Sequence, residues 1–388
     1  MKIRGRVLVL AVSMPVIAFA VVGGFMSKAV AREQSYQYLR IFEDVVSLIL
    51  NNYVEEVNVD KVMHGAMHGL ADGLDPDSAY LDVAQVKVLD KGDLGGPAQT
   101  GLEITRQYYL RVVAARDGSP AAKAGLLPGD YIRAIDGQST RDVTVYEGQR
   151  LLRGRPGTKV HLTVLRGNAA EPHEIDLPRE ELPAVSVKSK VAAPGVGYLR
   201  IAEFTKNTPE QIKSEITSLT RGGAKSVVID LRGTAFGDID SGLAAARLFV
   251  KSGVLTYRQD RGKDKEAVSA AAGDGAITVN TALLTDNGTS NGAEIFAAAL
   301  SGNKRAQLIG ERTLGRAARQ KLVRLPDGSG LMLTHLIYMT PASVAIHEKG
   351  LVPDVAVEQP DIDFGQPAPT TDATLQKAIE SLTVKAAA

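Results

Sequence analysis

Side chains able to do covalent or metal chemistry are few in this 388-residue chain. Cysteine is absent, which excludes a thiolate nucleophile, a disulfide and any Cys-ligated metal. Of the six histidines, His64 and His68 have the i,i+4 spacing of one helix face. Gly65, Ala66 and Met67 stand between them, where a zincin helix carries a glutamate, so both are expected on a helix surface. No metal and no cofactor are predicted. The 45 basic and 44 acidic side chains leave a net charge of +1. A phosphate-tracking surface needs a clear basic excess, so no nucleic-acid partner is expected. What remains is the chemistry of hydroxyls, amides and amines, and a hydroxyl becomes a nucleophile only beside a base. The elements must bring such groups together.

The length suggests two or three domains. Lys2, Arg4 and Arg6 precede an apolar run from Val7 to Met26, long enough to cross a bilayer, and Ala29-Val30-Ala31 offers a cleavage site. Residues 1–31 are therefore read as a signal peptide or a membrane anchor. The basic flank keeps that end in the cytoplasm and exports the rest, to the periplasm or cell envelope. Leu39, Phe42, Val45, Val46, Ile49 and Leu50 follow helical spacing, and residues 32–94 are assigned to a helical region. The hinge Gly92-Asp93-Leu94-Gly95-Gly96-Pro97 ends it. Residues 95–170 read as short strands and turns, including Leu110–Val113, Tyr131–Ile135 and Val160–Leu165.

From residue 171 to 358 strands alternate with helices. Strands are predicted at Gly197–Ile201, Ser226–Leu231 and Thr281–Leu284. Helices are predicted at Pro209–Thr220 with Thr208 as N-cap, at Ser241–Lys251 and at Asn291–Leu300. The fold class is α/β within the core and α+β overall. Residues 359–388 form a Pro-rich linker and a last helix, near Asp372 to Val384.

An ordered series of segments carries a resemblance. It includes Gly73-Leu74-Asp75-Pro76-Asp77-Ser78-Ala79-Tyr80-Leu81, Thr100-Gly101-Leu102-Glu103-Ile104, Gly118-Ser119-Pro120-Ala121-Ala122 and Leu127-Pro128-Gly129-Asp130. It continues through Ile229-Asp230-Leu231-Arg232, Gly310-Glu311-Arg312-Thr313-Leu314-Gly315, Ile346-His347 and Lys349-Gly350-Leu351-Val352-Pro353-Asp354. From about Tyr36 to Val357 the chain resembles the C-terminal processing (tail-specific) serine peptidases. That resemblance implies a crotonase-like ββα-spiral core with an inserted PDZ domain. It also implies a Ser–Lys dyad and partners that are unfolded protein C-termini. A PDZ domain adds the tail as a strand and holds its carboxylate on a glycine-containing loop. Gly101, Leu102, Glu103 and Ile104 are the peptide-binding positions so implied, and the helix from about Val145 to Leu152 the opposite wall.

The family's nucleophile segment, G-S-A-S-A-S-E-I, reads Gly288-Thr289-Ser290-Asn291-Gly292-Ala293-Glu294-Ile295 here, which puts Asn291 at the nucleophile. The lysine segment ends in Arg316, and Gln320 keeps the third position. The oxyanion segment reads Gly233-Thr234-Ala235-Phe236-Gly237, so Phe236 replaces a glycine. A side-chain amide is no acyl-transfer nucleophile, and a guanidinium stays protonated, so it cannot act as base. The expected function is a pseudopeptidase that binds tails and regulates or scaffolds envelope proteolysis, pairing with itself or with an active relative. One rival is an active endopeptidase relocated to Ser290, with His335, His347, Lys304 or Lys321 as base. The other is a purely structural assembly subunit. Ser290 is otherwise expected to N-cap the helix starting near Asn291.

Overall fold

The computed structural model describes residues 36–167, 171–185, 187–360, 362–366 and 369–387, so the predicted export segment lies outside the described residues. Two compact units are found, one ending at Met67 and one from His68 onward. In the first, residues 36–52 form α1, whose Leu39, Val45 and Leu48 are exposed. Helix α2 (Val59–Asp72) continues into the second unit. Among the described residues no helix is long and apolar enough to cross a membrane.

The second unit opens on a turn in which Asp75 Oδ1 accepts the N–H groups of Asp77 and Ser78 at 2.9 and 2.8 Å. Strand β1 (Ala79–Leu81) and helix α3 (Val83–Asp90) follow. Asp82 and Gln85 close the start of α3 as a reciprocal capping box.

An antiparallel sheet comes next, in the order β2 (Leu102–Gln107), β3 (Tyr109–Ala115), β4 (Tyr131–Ile135), β5 (Lys159–Leu165) and β6 (His173–Pro178). In β5, Val160, Leu162 and Val164 are buried while the residues between them face outward more, as period-two alternation requires. They pack with Ile104, Leu110 and Ile132 in one core. Helix α4 (Pro120–Lys123) follows β3, and α5 (Val145–Leu151) precedes β5.

The remainder runs β7 (Lys188–Ala193), β8 (Val196–Arg200), α6 (Thr208–Arg221), β9 (Ser226–Asp230), α7 (Ile239–Arg247), β10 (Val254–Asp260) and β11 (Glu266–Ser269). Then come β12 (Asn280–Thr285), α8 (Gly292–Gly302), β13 (Ala306–Gly310), β14 (Ala318–Arg324), β15 (Gly330–Met339), β16 (Val355–Ala356) and α9 (Ala373–Ala387). One sheet has the order β7-β8-β9-β12-β13-β16, parallel except for β7. Every residue of β9 is buried, because helices cover both faces. Ile212 and Ile216 of α6, with α7 and α8, pack on Val227 and Ile229. Ala378 and Leu382 of α9 pack on Val228 and Leu284 on the other side.

Strands β1, β10, β11, β14 and β15 form a second, antiparallel sheet that the sequence reading did not contain. Helix α6 also differs from expectation. Its N-cap residue is Asn207, and the Thr208 hydroxyl instead accepts the Thr205 N–H at 2.9 Å and donates to the Glu203 carbonyl at 3.1 Å.

The C-terminal linker crosses back over the β2–β6 sheet. Phe364 stacks on His173 with ring centroids 4.5 Å apart, and Arg166 lies over its ring at 4.6 Å. Past it, Asp372 receives Arg232 Nη1 and Nη2 at 3.0 and 2.7 Å, which fixes the start of α9.

Candidate functional site

The turn between β12 and α8 is built on a buried carboxylate. Asp286 Oδ1 accepts the N–H of Gly288 at 3.0 Å and of Gly233 at 2.8 Å, and burial pushes its carboxyl up. The chain then reaches Asn291 with φ 54° and ψ −124°, a conformation sparsely populated by residues with a side chain. Asn291 Nδ2 donates to the Ala235 carbonyl at 3.1 Å. The next residue must be glycine, since a Cβ on Gly292 would collide with the Asp238 carbonyl. This is a strained strand-turn-helix elbow of the kind that presents a nucleophile, and Asn291 holds its apex.

Ser290 does not cap the helix as expected. Asn291 is the N-cap residue, and it makes no side-chain cap bond. Ser290 is 1% exposed, and its Oγ has no hydrogen-bond partner among the described residues. Its N–H donates to the Thr234 carbonyl at 3.0 Å. His347 faces Asp75 across 3.8 Å, and Lys304 and Lys321 are exposed, so none of these bases is bonded to Ser290. The hydroxyl is buried and unactivated.

Helix α8 also sets the loop that follows β13. Glu294, fully buried on its first turn, accepts from Thr313 Oγ1 at 2.5 Å, Gly315 N at 2.6 Å and Arg316 N at 2.8 Å. Burial pushes its carboxyl up to about 7 against those donors. The Arg316 side chain extends from this loop to two carboxylates. Nε lies 3.0 Å from Asp77 Oδ2, Nη2 2.8 Å from Asp77 Oδ1, and Nη1 2.6 Å from Glu103 Oε1. Burial works against its charge, but the two acids hold the guanidinium above its ordinary value. No hydrogen bond joins Arg316 to Asn291. Gln320 is engaged elsewhere, its Nε2 donating to Thr334 Oγ1 at 3.2 Å on β14–β15.

In the segment facing the elbow, Phe236 and Gly237 pair in parallel with Glu203 and Phe204. Gly237 has φ 98°, and a Cβ there would collide with the Phe204 backbone. Phe236 tolerates its place because its φ is not positive, and its ring packs with Val113, Ala114, Ala235 and Leu314.

That cluster joins the β2–β6 domain to the elbow. A Cβ on Gly288 would lie 2.9 Å from the Val113 carbonyl and 3.0 Å from Pro128 Cγ. Arg116 pairs with Glu203 at 2.5 Å, and Arg200 holds both Asp117 oxygens at 2.9 and 3.1 Å. The domain is therefore closed over the loops that flank Asn291.

Of the implied peptide-binding residues, Leu102, Glu103 and Ile104 lie on β2, the edge strand of their sheet, and Gly101 immediately precedes it. Val112 turns its N–H to Asp130 (2.8 Å) and its carbonyl to Gly129 (2.9 Å), away from its β2 partner Ile104. The backbone groups of Ile104 therefore face the open edge, where a tail would add. Arg316 Nη1 donates to the Ile104 carbonyl there at 3.1 Å. Glu103, raised by burial, is bonded by Arg316 on one side and by Gln149 of α5 on the other. Leu102 and Ile104 are buried, and a Cβ on Gly148 of α5 would lie 2.8 Å from Ile104 Cδ1. Gly101 has φ 81°, and the space its missing Cβ leaves is filled by Ser119 of the same chain. At the far end of β2 a polar cleft of about 490 Å³ is lined by residues that include Asp72, Asp75, Arg106, Tyr108, Arg141 and Glu348.

Family models place these parts. Residues 195–357 match peptidase family S41, residues 111–166 a PDZ domain, and residues 22–85 the N-terminal domain of the activating protease CtpB. The chain is 30% identical to a carboxy-terminal-processing protease of Bartonella bacilliformis, over 89% of its own length and 83% of that protein's. It is 34% identical to a carboxyl-terminal-processing protease of Synechocystis, over 77% and 70%. Among solved structures, a photosystem II D1 C-terminal processing protease superposes with a TM-score of 0.68 at 27% identity, covering 82% of this chain and 92% of that one. On sequence, domain content and fold together, the chain belongs to the S41 family of carboxy-terminal-processing proteases.

Proposed function

We propose that this chain is an exported pseudopeptidase of that family, which binds protein C-termini through its PDZ domain and does not cleave them. The supporting observation is the pairing of Asn291 at the elbow apex with Arg316 bound between two carboxylates. The amide lone pair at Asn291 is delocalised and cannot open an acyl transfer. The guanidinium at Arg316 cannot take a proton, and its direction is set by Asp77 and Glu103. Export rests on Lys2, Arg4 and Arg6 ahead of the apolar run Val7–Met26.

The test is incubation of the full chain with unfolded proteins ending in apolar residues. No shortened product is expected, and tail peptides are expected to bind. Turnover that Ser290→Ala abolishes would overturn the reading in favour of a working relocated site. The absence of any tail binding would leave only a structural subunit.

A further inference from the structure

We propose that Asn291 is a site of self-catalysed covalent conversion, cyclising with the Gly292 nitrogen to a succinimide that water opens to aspartate or isoaspartate. Four observations carry this. Asn291 is followed by Gly292, so no side chain shields the attacking nitrogen. At ψ −124° an L residue has its Cα–Cβ bond eclipsed with the bond to the following nitrogen, which is the arrangement a planar five-membered ring imposes. The elbow thus stores the torsion that an unfolded asparagine must first find. Gly292 N–H has no acceptor among the described residues, since the bonds opening α8 come from Ala293, Glu294 and Ile295. It also lies at the positive end of an eleven-residue helix, which favours loss of its proton and the charge of the tetrahedral adduct. Asn291 is partly exposed, so water can reach the ring.

The step balances without a co-reactant. Gly292 nitrogen bonds to Asn291 Cγ, the Cγ–Nδ2 bond breaks, and the nitrogen's proton leaves with the amide as ammonia. Water then cleaves either ring carbonyl–nitrogen bond. Cleavage at Cγ gives isoaspartate's alternative, aspartate, and cleavage at the main-chain carbonyl gives isoaspartate, with one extra carbon in the backbone. Aspartate puts a carboxylate where Nδ2 now donates to the Ala235 carbonyl, and isoaspartate carries Cγ into the backbone; either way that carbonyl loses its donor and segment 235–237 loosens.

The chain carries its own control. Asn287 is also followed by glycine, but Gly288 N–H is bonded to Asp286 at 3.0 Å. The folded full chain is held at mildly alkaline pH and mapped by mass spectrometry, beside the same chain in denaturant. In the folded chain Asn291 is expected to lose ammonia and, after taking up water, to end about one mass unit above its starting mass, about tenfold faster than Asn287, and in denaturant the two rates should converge. Equal rates in the folded chain, faster change at Asn287, or an unaltered Asn291 while the denatured chain converts would each overturn the proposal. Asn291→Gln should remove the ammonia-loss species from that position. The outcome is independent of whether the chain cleaves peptides.

Discussion

Arg316 shows how one side chain can tie a loop to two distant carboxylates. Its guanidinium bridges Asp77 and Glu103 in a mostly buried junction. Removing one partner of such a group strands the others, at a cost of about 3–5 kcal/mol. Arg316→Met should therefore lower the thermal midpoint clearly, and Glu103→Gln in the same chain should recover part of the loss. Introducing a serine and a lysine with Asn291→Ser and Arg316→Lys should give no hydrolysis. A lysine held between two carboxylates keeps its proton, and a general base must lose it. Appearance of peptidase activity in that double variant would show that the carboxylates move away. The turn at Asp75 gives a pH signature. Burial would raise its carboxyl, but the nearby His347 and Thr334 side chains and bonds from Ser78 and the Asp77 N–H hold it at about 2, below its ordinary 3.8. A depressed folded-state value adds stability above 3.8 that is lost as pH falls toward 2. Denaturant titrations across that window should show a shallower acid loss for Asp75→Asn than for the unaltered chain. Among these residues, the turn that carries Asn291 could be located in the sequence, because Gly288, Gly292 and Glu294 frame it. The partners of Arg316 could not, since Asp77 lies 239 positions and Glu103 213 positions from Arg316. Ser290 misled because serine suits an N-cap, and nothing in the residue order announces that the positive φ falls on the next position.

At the scale of elements, what could be read was what each element records in its own pattern. Val227, Val228 and Ile229 make an unbroken apolar run because both faces of their strand are covered, and Tyr131–Ile135 is bounded by turn glycines on either side. The antiparallel layer escaped notice for the opposite reason. Strand Ala318–Arg324 carries Arg319, Lys321 and Arg324 and leaves most of its residues partly or fully exposed, so its identity comes from pairing with Gly330–Met339. Edge strand β2 carries the functional consequence. A tail that adds to it must compete with Arg316 for the Ile104 carbonyl. Arg316→Met, assayed below its unfolding transition, should bind apolar-tailed peptides several-fold more tightly by fluorescence anisotropy. Unchanged affinity would mean that tails dock elsewhere on the PDZ domain. Gly101 is unsuitable as a probe of that groove, because any side chain there meets Ser119 and disturbs the domain itself.

For the whole molecule, the PDZ domain rests on the core through Arg116–Glu203, Arg200–Asp117, Arg316–Glu103 and the apolar contact of Val113 and Ala114 with Phe236. The Arg116–Glu203 and Arg200–Asp117 pairs are partly solvent-exposed, so each is individually modest. Replacing Asp117 and Glu203 together by alanine should therefore leave secondary structure intact. Proteolysis at the Gly92–Pro97 hinge should become faster, as read by the rate of fragment appearance. The Phe364 contact adds a mechanical element. The PDZ domain is joined to the core by the two chain crossings of its insertion, and the C-terminal linker supplies a third attachment between His173 and Arg232. A body held at two points can swing about a hinge line, whereas one held at three is restricted to small tilts. The contact of Phe364 with His173 and Arg166 thus limits how far the PDZ domain can tilt from the core.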